Sequence, residues 1–185
     1  MEPLELVERL AGTQIGETYN QYAESTLLQQ RLHDYLRARS DCELVLVGEA
    51  AGYRGARVSG IPFTSERQLT GVGPAEATAT IVHRVLAKLG VSDDVLLWNV
   101  VPTHPGSERS NRRPTRAEIQ AASPFLHELT RGRIAIAVGR LAAEVLEAAP
   151  YVRHPSHGGA AAFEAGLRRA FATIGRRRAP VRRFL

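Results

Sequence analysis

The chain has 185 residues, 44% of them hydrophobic, and its 24 basic and 19 acidic residues give a formal net charge of +5. No run of about 18 apolar residues occurs, and the charged segment after Met1 does not resemble a signal sequence, so a soluble cytoplasmic protein with one core is expected. The single cysteine, Cys42, excludes a disulfide framework and, within one subunit, the four-cysteine zinc and iron–sulfur sites.

The first 50 residues predict two helices and a strand. Apolar residues recur at helical spacing in residues 3–10 and again in residues 17–39. A continuous apolar run, ELVLVG at residues 43–48, then predicts a strand that is buried on both faces.

Beyond the first strand, apolar runs and helical periodicity alternate along the chain. Pro74 and Gly90 bound one predicted helix. Thr115 and Glu118 form a predicted capping box at the start of another, in which Pro124 is expected to introduce a kink or a restart. The remaining predicted elements are strands at residues 95–101, 133–139 and 151–156 and helices at residues 141–149 and 161–174.

This alternation predicts the fold class. Continuous apolar strands separated by helices indicate a parallel sheet covered on both faces. We therefore expect a three-layer α/β/α sandwich with a central four-stranded parallel sheet, preceded by N-terminal helices. The chain is expected to form a single domain over residues 1–185, with N-terminal helices at 1–40, an α/β core at 41–175 and a basic C-terminal tail at 176–185.

Ligands of such folds bind at the carboxyl ends of the strands, where the first loop carries Glu49 among glycines. Gly48, Gly52 and Gly55 would let the backbone turn tightly and approach a ligand, although their spacing matches neither common phosphate-binding motif. Glu49 is either a general base that activates water or an exposed acid at a strand end.

Three further residues in the loops and strand ends could contact a ligand. Phe63 either stacks on a flat ligand such as a nucleobase or anchors its loop to the core. Asn99 either recognises a base edge that carries a donor and an acceptor, or satisfies a neighbouring loop. His154 either donates a hydrogen bond to negative charge on a departing group, or is structural. A metal site at His154 and His157 is not expected, because neither has an acidic or cysteine partner at ligand spacing.

Charge is distributed unevenly along the chain. Residues 1–50 hold nine acids and four bases, whereas residues 51–185 hold ten acids and twenty bases. The arginine clusters at residues 109–116 and 168–183 suit contacts with phosphates, although codon bias and a solvated tail would also explain them.

Five short motifs, in this order, resemble the uracil-DNA glycosylase superfamily: GEAAGYRG, GIPFTS, LWNVV, SNRRPTRAEI and HPS. They are most similar to the branch that carries GEAPG, GxPF, an N-x-V strand end, an NRxPT loop and HPS. The resemblance covers about residues 43–171. It implies removal of a damaged base, usually uracil, from single- or double-stranded DNA by hydrolysis of the N-glycosidic bond, without a cofactor.

The resemblance also implies a role for each matching residue. Glu49 would hold or activate the water that attacks the sugar C1′, and His154 would stabilise charge on the leaving base. Phe63 would stack on the extruded base and Asn99 would recognise its pyrimidine edge. The same resemblance assigns the neighbouring Ala50 and Ser156 to base binding and assigns Arg109, Arg112, Arg113 and His157 to DNA binding.

The sequence departs from that branch at several points. It lacks the cluster cysteines, and Ala51 stands where the branch has proline. His157 follows HPS where many members place a leucine that inserts into the base stack. Either His157 takes that role or the gap left by the base is filled weakly, which would impair activity on double-stranded DNA more than on single-stranded DNA. The basic loop has no histidine after His104, so covalent trapping of the abasic sugar is not expected. A protein that binds damaged or single-stranded DNA without cutting, or an enzyme of free nucleosides or nucleotides, remains an alternative.

Overall fold

The computed structural model describes residues 2–178, and its centre is the four-stranded parallel sheet that the sequence predicts. The strands are β1 (Leu44–Ala50), β2 (Val95–Val101), β5 (Ile134–Val138) and β6 (Tyr151–Val152), arranged in the order β2-β1-β5-β6. A separate antiparallel hairpin is formed by β3 (Gly106–Ser107) and β4 (Ser110–Asn111). All pairings in the main sheet are parallel, so the carboxyl ends of its strands lie at one edge.

Eight helices lie in the described residues and flank the sheet. They are α1 (Pro3–Ala11), α2 (Thr26–Ala38), α3 (Ala56–Ser59), α4 (Glu66–Thr70), α5 (Ala77–Leu89), α6 (Arg116–Thr130), α7 (Arg140–Val145) and α8 (Ala160–Arg178). Helices α6 and α7 pack against the strands, α8 packs against β6 and α5, and α1 packs against α2. The three-layer class is therefore confirmed. Of the predicted C-terminal tail, residues 179–185 lie outside the described part of the chain.

Residues 17–25, predicted as the start of a long helix, are irregular, and α2 begins only at Thr26. Polar groups in this segment form hydrogen bonds with other parts of the chain that a continuous helix would not allow. The Asn20 amide donates to the carbonyl oxygen of Leu10 at 2.7 Å, at the end of α1, and the backbone of Tyr19 exchanges two 2.9 Å hydrogen bonds with that of His104. Ser25 then caps α2 by accepting a hydrogen bond from a backbone N–H. Tertiary contacts thus override the helical periodicity.

None of the described helices is both long and apolar enough to cross a membrane. The short helices α3 and α4 and the β3–β4 hairpin were not predicted. Helix α6 begins where the sequence predicts and continues through Pro124 without a restart.

The capping box of α6 also anchors the arginine-rich loop. Thr115 accepts from the backbone N–H of Glu118, and the Glu118 carboxylate accepts from the backbone N–H of Thr115 at 2.8 Å. The same carboxylate, which is buried, forms a two-pronged ion pair with Arg112. Hydrogen bonding to Arg112 is the main reason that the pKa of Glu118 falls to about 2. Arg112 directly follows β4, so this pair fixes the hairpin to α6.

We predict that Glu118→Gln lowers the free energy of unfolding by about 1–2 kcal/mol at pH 7, because the ion pair is lost while Arg112 regains water. A depressed pKa stabilises the protein above the unfolded value of about 4.3, and this contribution is lost as the pH falls towards the folded value of about 2. Urea unfolding should therefore show the difference between the two proteins shrinking below about pH 4 and closing only at about pH 2 or below.

The exposed Glu147→Gln serves as the matched control and should leave stability nearly unchanged. A difference between wild type and Glu118→Gln that is independent of pH would contradict this account of the ion pair.

Candidate active site

A cleft of about 440 Å³ lies at the carboxyl ends of the strands, and a smaller recess of about 50 Å³ adjoins it. The cleft is lined by residues that follow β1, β5 and β6 and by Asn111 of the hairpin. Phe63 and Asn99 line the recess, and Glu49, Glu76 and His154 line both cavities. The sheet therefore brings Glu49, Phe63, Asn99 and His154 to one place, as the sequence predicts. A larger cavity of about 870 Å³ lies where β1 and β5 begin and contains none of these residues.

The inner wall of the recess depends on a glycine. A Cβ atom at Gly48 would lie 2.3 Å from Cζ of Phe63 and 2.9 Å from Oδ1 of Asn99. Gly48 pairs with Asn99 in the register of β1 and β2, so the missing side chain leaves room for the ring and the amide together. Phe63 has a φ of 53°, a left-handed conformation that is unusual for a phenylalanine. Its ring is thus placed beside the Asn99 amide.

Asn99 is only 3% exposed, and its carboxamide makes no hydrogen bond with any described residue. Buried polar groups in proteins are nearly always paired. The alternative that Asn99 satisfies a neighbouring loop is therefore not observed. Its donor and acceptor are available to a molecule in the recess.

His154 follows β6 and is oriented by the turn after it. Its Nδ1 accepts a hydrogen bond from the backbone N–H of Ser156 at 3.3 Å and lies 2.8 Å from the Ser156 hydroxyl. An Nδ1 that accepts places the proton of a neutral imidazole on Nε2. Burial, and secondarily the nearby His157, lowers the pKa of His154. The side chain is thus a neutral donor at the wall of the recess.

Glu49 is half-buried at the end of β1, and its carboxylate makes no hydrogen bond with the described residues. Burial raises the pKa of Glu49, the charge of Arg113 lowers it in part, and Glu144 raises it again. A carboxylate with a raised pKa and no fixed partner is a stronger base than an exposed one. Such a group can accept a hydrogen bond from a molecule in the cleft.

Glu76 is a second acid in this site and was not predicted. It immediately precedes α5 and lines both the cleft and the recess. A Cβ atom at Gly52 or Gly55 would lie 2.6 Å or 1.8 Å, respectively, from its carboxylate oxygens. The space over these two glycines, expected to admit a ligand, is therefore occupied by the Glu76 side chain. No motif marks this residue, because its role depends on contact with a loop more than twenty positions earlier in the chain.

Three residues next to the predicted catalytic side chains, Ala50, Ala51 and Ser156, also contact the site or the loops around it. Ala50 lines both cavities, and Ser156 lines the cleft while it contacts His154. Ala51, where the related branch has proline, is buried, and its carbonyl oxygen lies 2.7 Å from Nδ1 of His104. Nε2 of His104 lies 2.8 Å from the carbonyl oxygen of Ser107, so His104 joins the Glu49 loop to the hairpin.

The predicted DNA-binding residues differ in their contacts. Arg112 lines the cleft but is paired with Glu118. Arg113 forms an exposed ion pair with Glu144, and Arg109 is exposed in the hairpin turn. His157 is exposed at the cleft with a φ of 51°. Arg140, two positions after the end of β5, also lines the cleft. The position of Arg140 after a predicted strand could have indicated it, but no motif marks this residue.

No group of three or more His, Cys, Asp or Glu side chains within residues 2–178 is arranged to hold a metal ion. The site consists of two acids, an amide, a phenyl ring and an imidazole.

Comparison with known proteins gives a family and a fold. The family model described as "Uracil DNA glycosylase superfamily" matches residues 35–175. Among solved structures, the chain is similar to SMUG2 of Pedobacter heparinus, with a TM-score of 0.69, 13% sequence identity, and coverage of 95% of this chain and 99% of that one. No curated protein matches the sequence.

We predict that Gly48→Ala lowers the free energy of unfolding by about 1–3 kcal/mol, because the added methyl group displaces Phe63 or Asn99 from a packed wall. The matched control is Gly175→Ala in α8, where nothing lies within 4 Å of the new methyl group and helix propensity should raise stability slightly. Equal effects of the two changes in urea unfolding would contradict the packing seen at Gly48.

We also predict that His154 carries its proton on Nε2 and titrates below the ordinary histidine value of about 6.5. Nitrogen-15 NMR of the imidazoles distinguishes the two tautomers and follows the titration. His157→Asn should move the pKa of His154 upwards, because it removes a like charge. A proton on Nδ1 would show that the turn does not orient the ring as described.

Proposed function

We propose that the chain, which belongs to the uracil DNA glycosylase superfamily, is a monofunctional DNA glycosylase that hydrolyses the N-glycosidic bond of uracil or another deaminated base and leaves an abasic site. The observation that carries this proposal is the unpaired, buried carboxamide of Asn99 beside the ring of Phe63, in a recess that Glu49 and His154 also line. These side chains supply the separate functions that base excision requires.

Phe63 and Asn99 would recognise the base. A base must leave the helical stack before its glycosidic bond can be reached, and aromatic stacking offsets part of that cost. Uracil presents an N–H donor beside a carbonyl acceptor, which matches the acceptor and donor of one carboxamide. Because Asn99 is buried, each hydrogen bond from its amide to the base would contribute more than it would at the surface.

The departing base would be stabilised by His154. As the C1′–N bond breaks, its electron pair moves to the base and negative charge collects on the ring nitrogen and carbonyl oxygens. The Nε2–H of a neutral imidazole can donate to one of these oxygens. A donor held in advance by Ser156 needs no reorganisation when the charge develops.

Water attack would depend on Glu49. Its negative charge stabilises the cationic character of the sugar, and its carboxylate accepts a proton from the water whose oxygen bonds to C1′. The base anion then takes a proton from solvent, so the products are the free base and an abasic site. Arg113, which limits the rise in the pKa of Glu49, supports ionisation at neutral pH.

DNA is the proposed partner, and cations around the cleft would hold its backbone. Arg109 and Arg113, which are exposed, and Arg140, which lines the cleft, would contact phosphates on either side of an extruded nucleotide. His157, which lines the cleft, would contact the DNA strand there. Arg112 would contact phosphates only through the exposed part of its guanidinium group, because most of its hydrogen bonds go to Glu118.

We expect the protein to release base from single-stranded oligonucleotides that contain uracil, hypoxanthine or xanthine, detected as strand scission after alkali. Glu49→Gln should lower the single-turnover rate by about 10²–10⁴-fold, and His154→Ala by about 10²–10³-fold, with oligonucleotide binding largely retained. Asn99→Asp should alter base preference more than stability, because it changes the donor and acceptor pattern.

The exposed Glu147→Gln provides the matched control for Glu49→Gln and should retain the wild-type rate. If no strand scission occurs with any of these bases, in single- or double-stranded DNA, the glycosylase proposal is refuted. Binding without scission would instead support a protein that recognises damaged DNA without cutting.

A further inference from the structure

Phe63 lies in a tight turn over residues 61–64, which the backbone N–H of Thr64 closes by donating to the carbonyl oxygen of Ile61 at 3.2 Å. Pro62 takes the second position of the turn, and Phe63, with a φ of 53°, takes the third. This is the pattern of a type II turn, whose third position favours glycine because φ is positive there. A phenylalanine is costly in this conformation and keeps it only where its surroundings hold it in place.

Ser59 joins the two ends of this turn from inside the core. Its side chain is fully buried, and its Oγ accepts from the backbone N–H of Ile61 at 3.1 Å and donates to the carbonyl oxygen of Thr64 at 2.6 Å. Both bonds go to the ends of the turn, and neither goes to Phe63 itself.

His83 of α5 contacts the same turn through its side chain. Its Nε2 lies 3.0 Å from the Thr64 hydroxyl. That hydroxyl donates its single proton to the carbonyl oxygen of Pro62 at 3.1 Å, so the Nε2–H of His83 is the donor to Thr64. Burial lowers the pKa of His83, the charge of Arg39 lowers it further, and the backbone of Phe63 raises it. The imidazole therefore lies against both Phe63 and Thr64.

The turn separates the recess from a second cavity. Ile61, Thr64 and His83 line this cavity of about 460 Å³ between α2, α4 and α5, whereas Phe63 lines the recess of the candidate active site. The cavity leaves room in which a costly backbone conformation could relax. The hydrogen bond from His83 to Thr64 opposes that relaxation, because it ties the turn to a helix of the flanking layer.

We propose that His83 is a positioning residue of the site, which acts through the Thr64 hydroxyl to keep the Phe63 ring against the Asn99 amide. His83 lines neither the cleft nor the recess, so it would influence the reaction only through Phe63. The extruded base would stack on this ring, so the role of His83 in base excision rests on the proposed glycosylase function. The placement of the ring does not rest on it.

The first test follows the ring through the NMR resonances of the Asn99 side-chain NH₂ group, which the ring current of the adjacent Phe63 shifts. His83→Ala should move these resonances, and Thr64→Val, which keeps the shape of the side chain but removes the hydroxyl, should move them in the same way. His83→Gln should restore them, because its amide N–H can replace the Nε2–H donor. The exposed His127→Ala in α6 is the matched control and should leave them in place.

The second test measures excision of uracil from a single-stranded oligonucleotide under single-turnover conditions. His83→Ala should lower the rate about three- to tenfold, because a displaced ring stacks less well on the base, and His83→Gln should recover it. In a Phe63→Ala background, His83→Ala should cause no further loss, since the ring through which it acts is absent. His127→Ala should retain the wild-type rate.

Unmoved Asn99 resonances in both His83→Ala and Thr64→Val would overturn the placement of the ring by His83. An equal loss of rate from His83→Ala in the wild-type and Phe63→Ala backgrounds would overturn its action through the ring and indicate a general structural role. If wild type excises no base, the glycosylase proposal fails, and the Asn99 resonances alone then decide whether His83 positions Phe63.

Discussion

The parallel pairing of β1 with β2 is the contact on which the rest of the site depends. It places Gly48 opposite Asn99, and the absence of a side chain at Gly48 lets the Phe63 ring and the Asn99 amide share one wall. Burial of both strands fixes this register, because a shift by one residue would move every side chain to the opposite face of the sheet and disrupt its packing against the helices. A hydrogen-bonding group without a partner is thereby held in a rigid position, which is the arrangement that specific ligand recognition requires.

The electrostatics of the site follow from the same burial. The recess holds two acids and an imidazole without a metal ligand set among the described residues, and burial is the largest influence on all three pKa values. The three pKa shifts have different consequences because the three side chains have different neighbours. Arg113 offsets the effect at Glu49, the Ser156 turn orients His154, and nothing charged compensates Glu76. The same burial thus raises the pKa of both acids and lowers that of the imidazole.

The fold could be predicted from the sequence because local signals suffice for it, whereas the four central residues could be singled out only when the five motifs were considered together. Alternating apolar runs indicate the sheet, and the strand-end rule then brings Glu49, Asn99 and His154 together. Other features depend on partners distant in the chain. Residues 17–25 lose their helix to contacts with α1 and His104, and Glu76 fills the space above two glycines. No pattern within a short window contains those partners, so sequence reasoning could not place them.

The central claim is that the unpaired amide of Asn99 receives an extruded base. The most direct measurement is the NMR spectrum of the Asn99 side-chain NH₂ group during titration with a single-stranded oligonucleotide whose uridine carries a 2′-fluoro substituent that resists hydrolysis. The account predicts that these resonances shift with the uracil oligonucleotide and stay in place with an oligonucleotide that has cytosine at the same position. Binding of the uracil oligonucleotide without any change at Asn99 would contradict it.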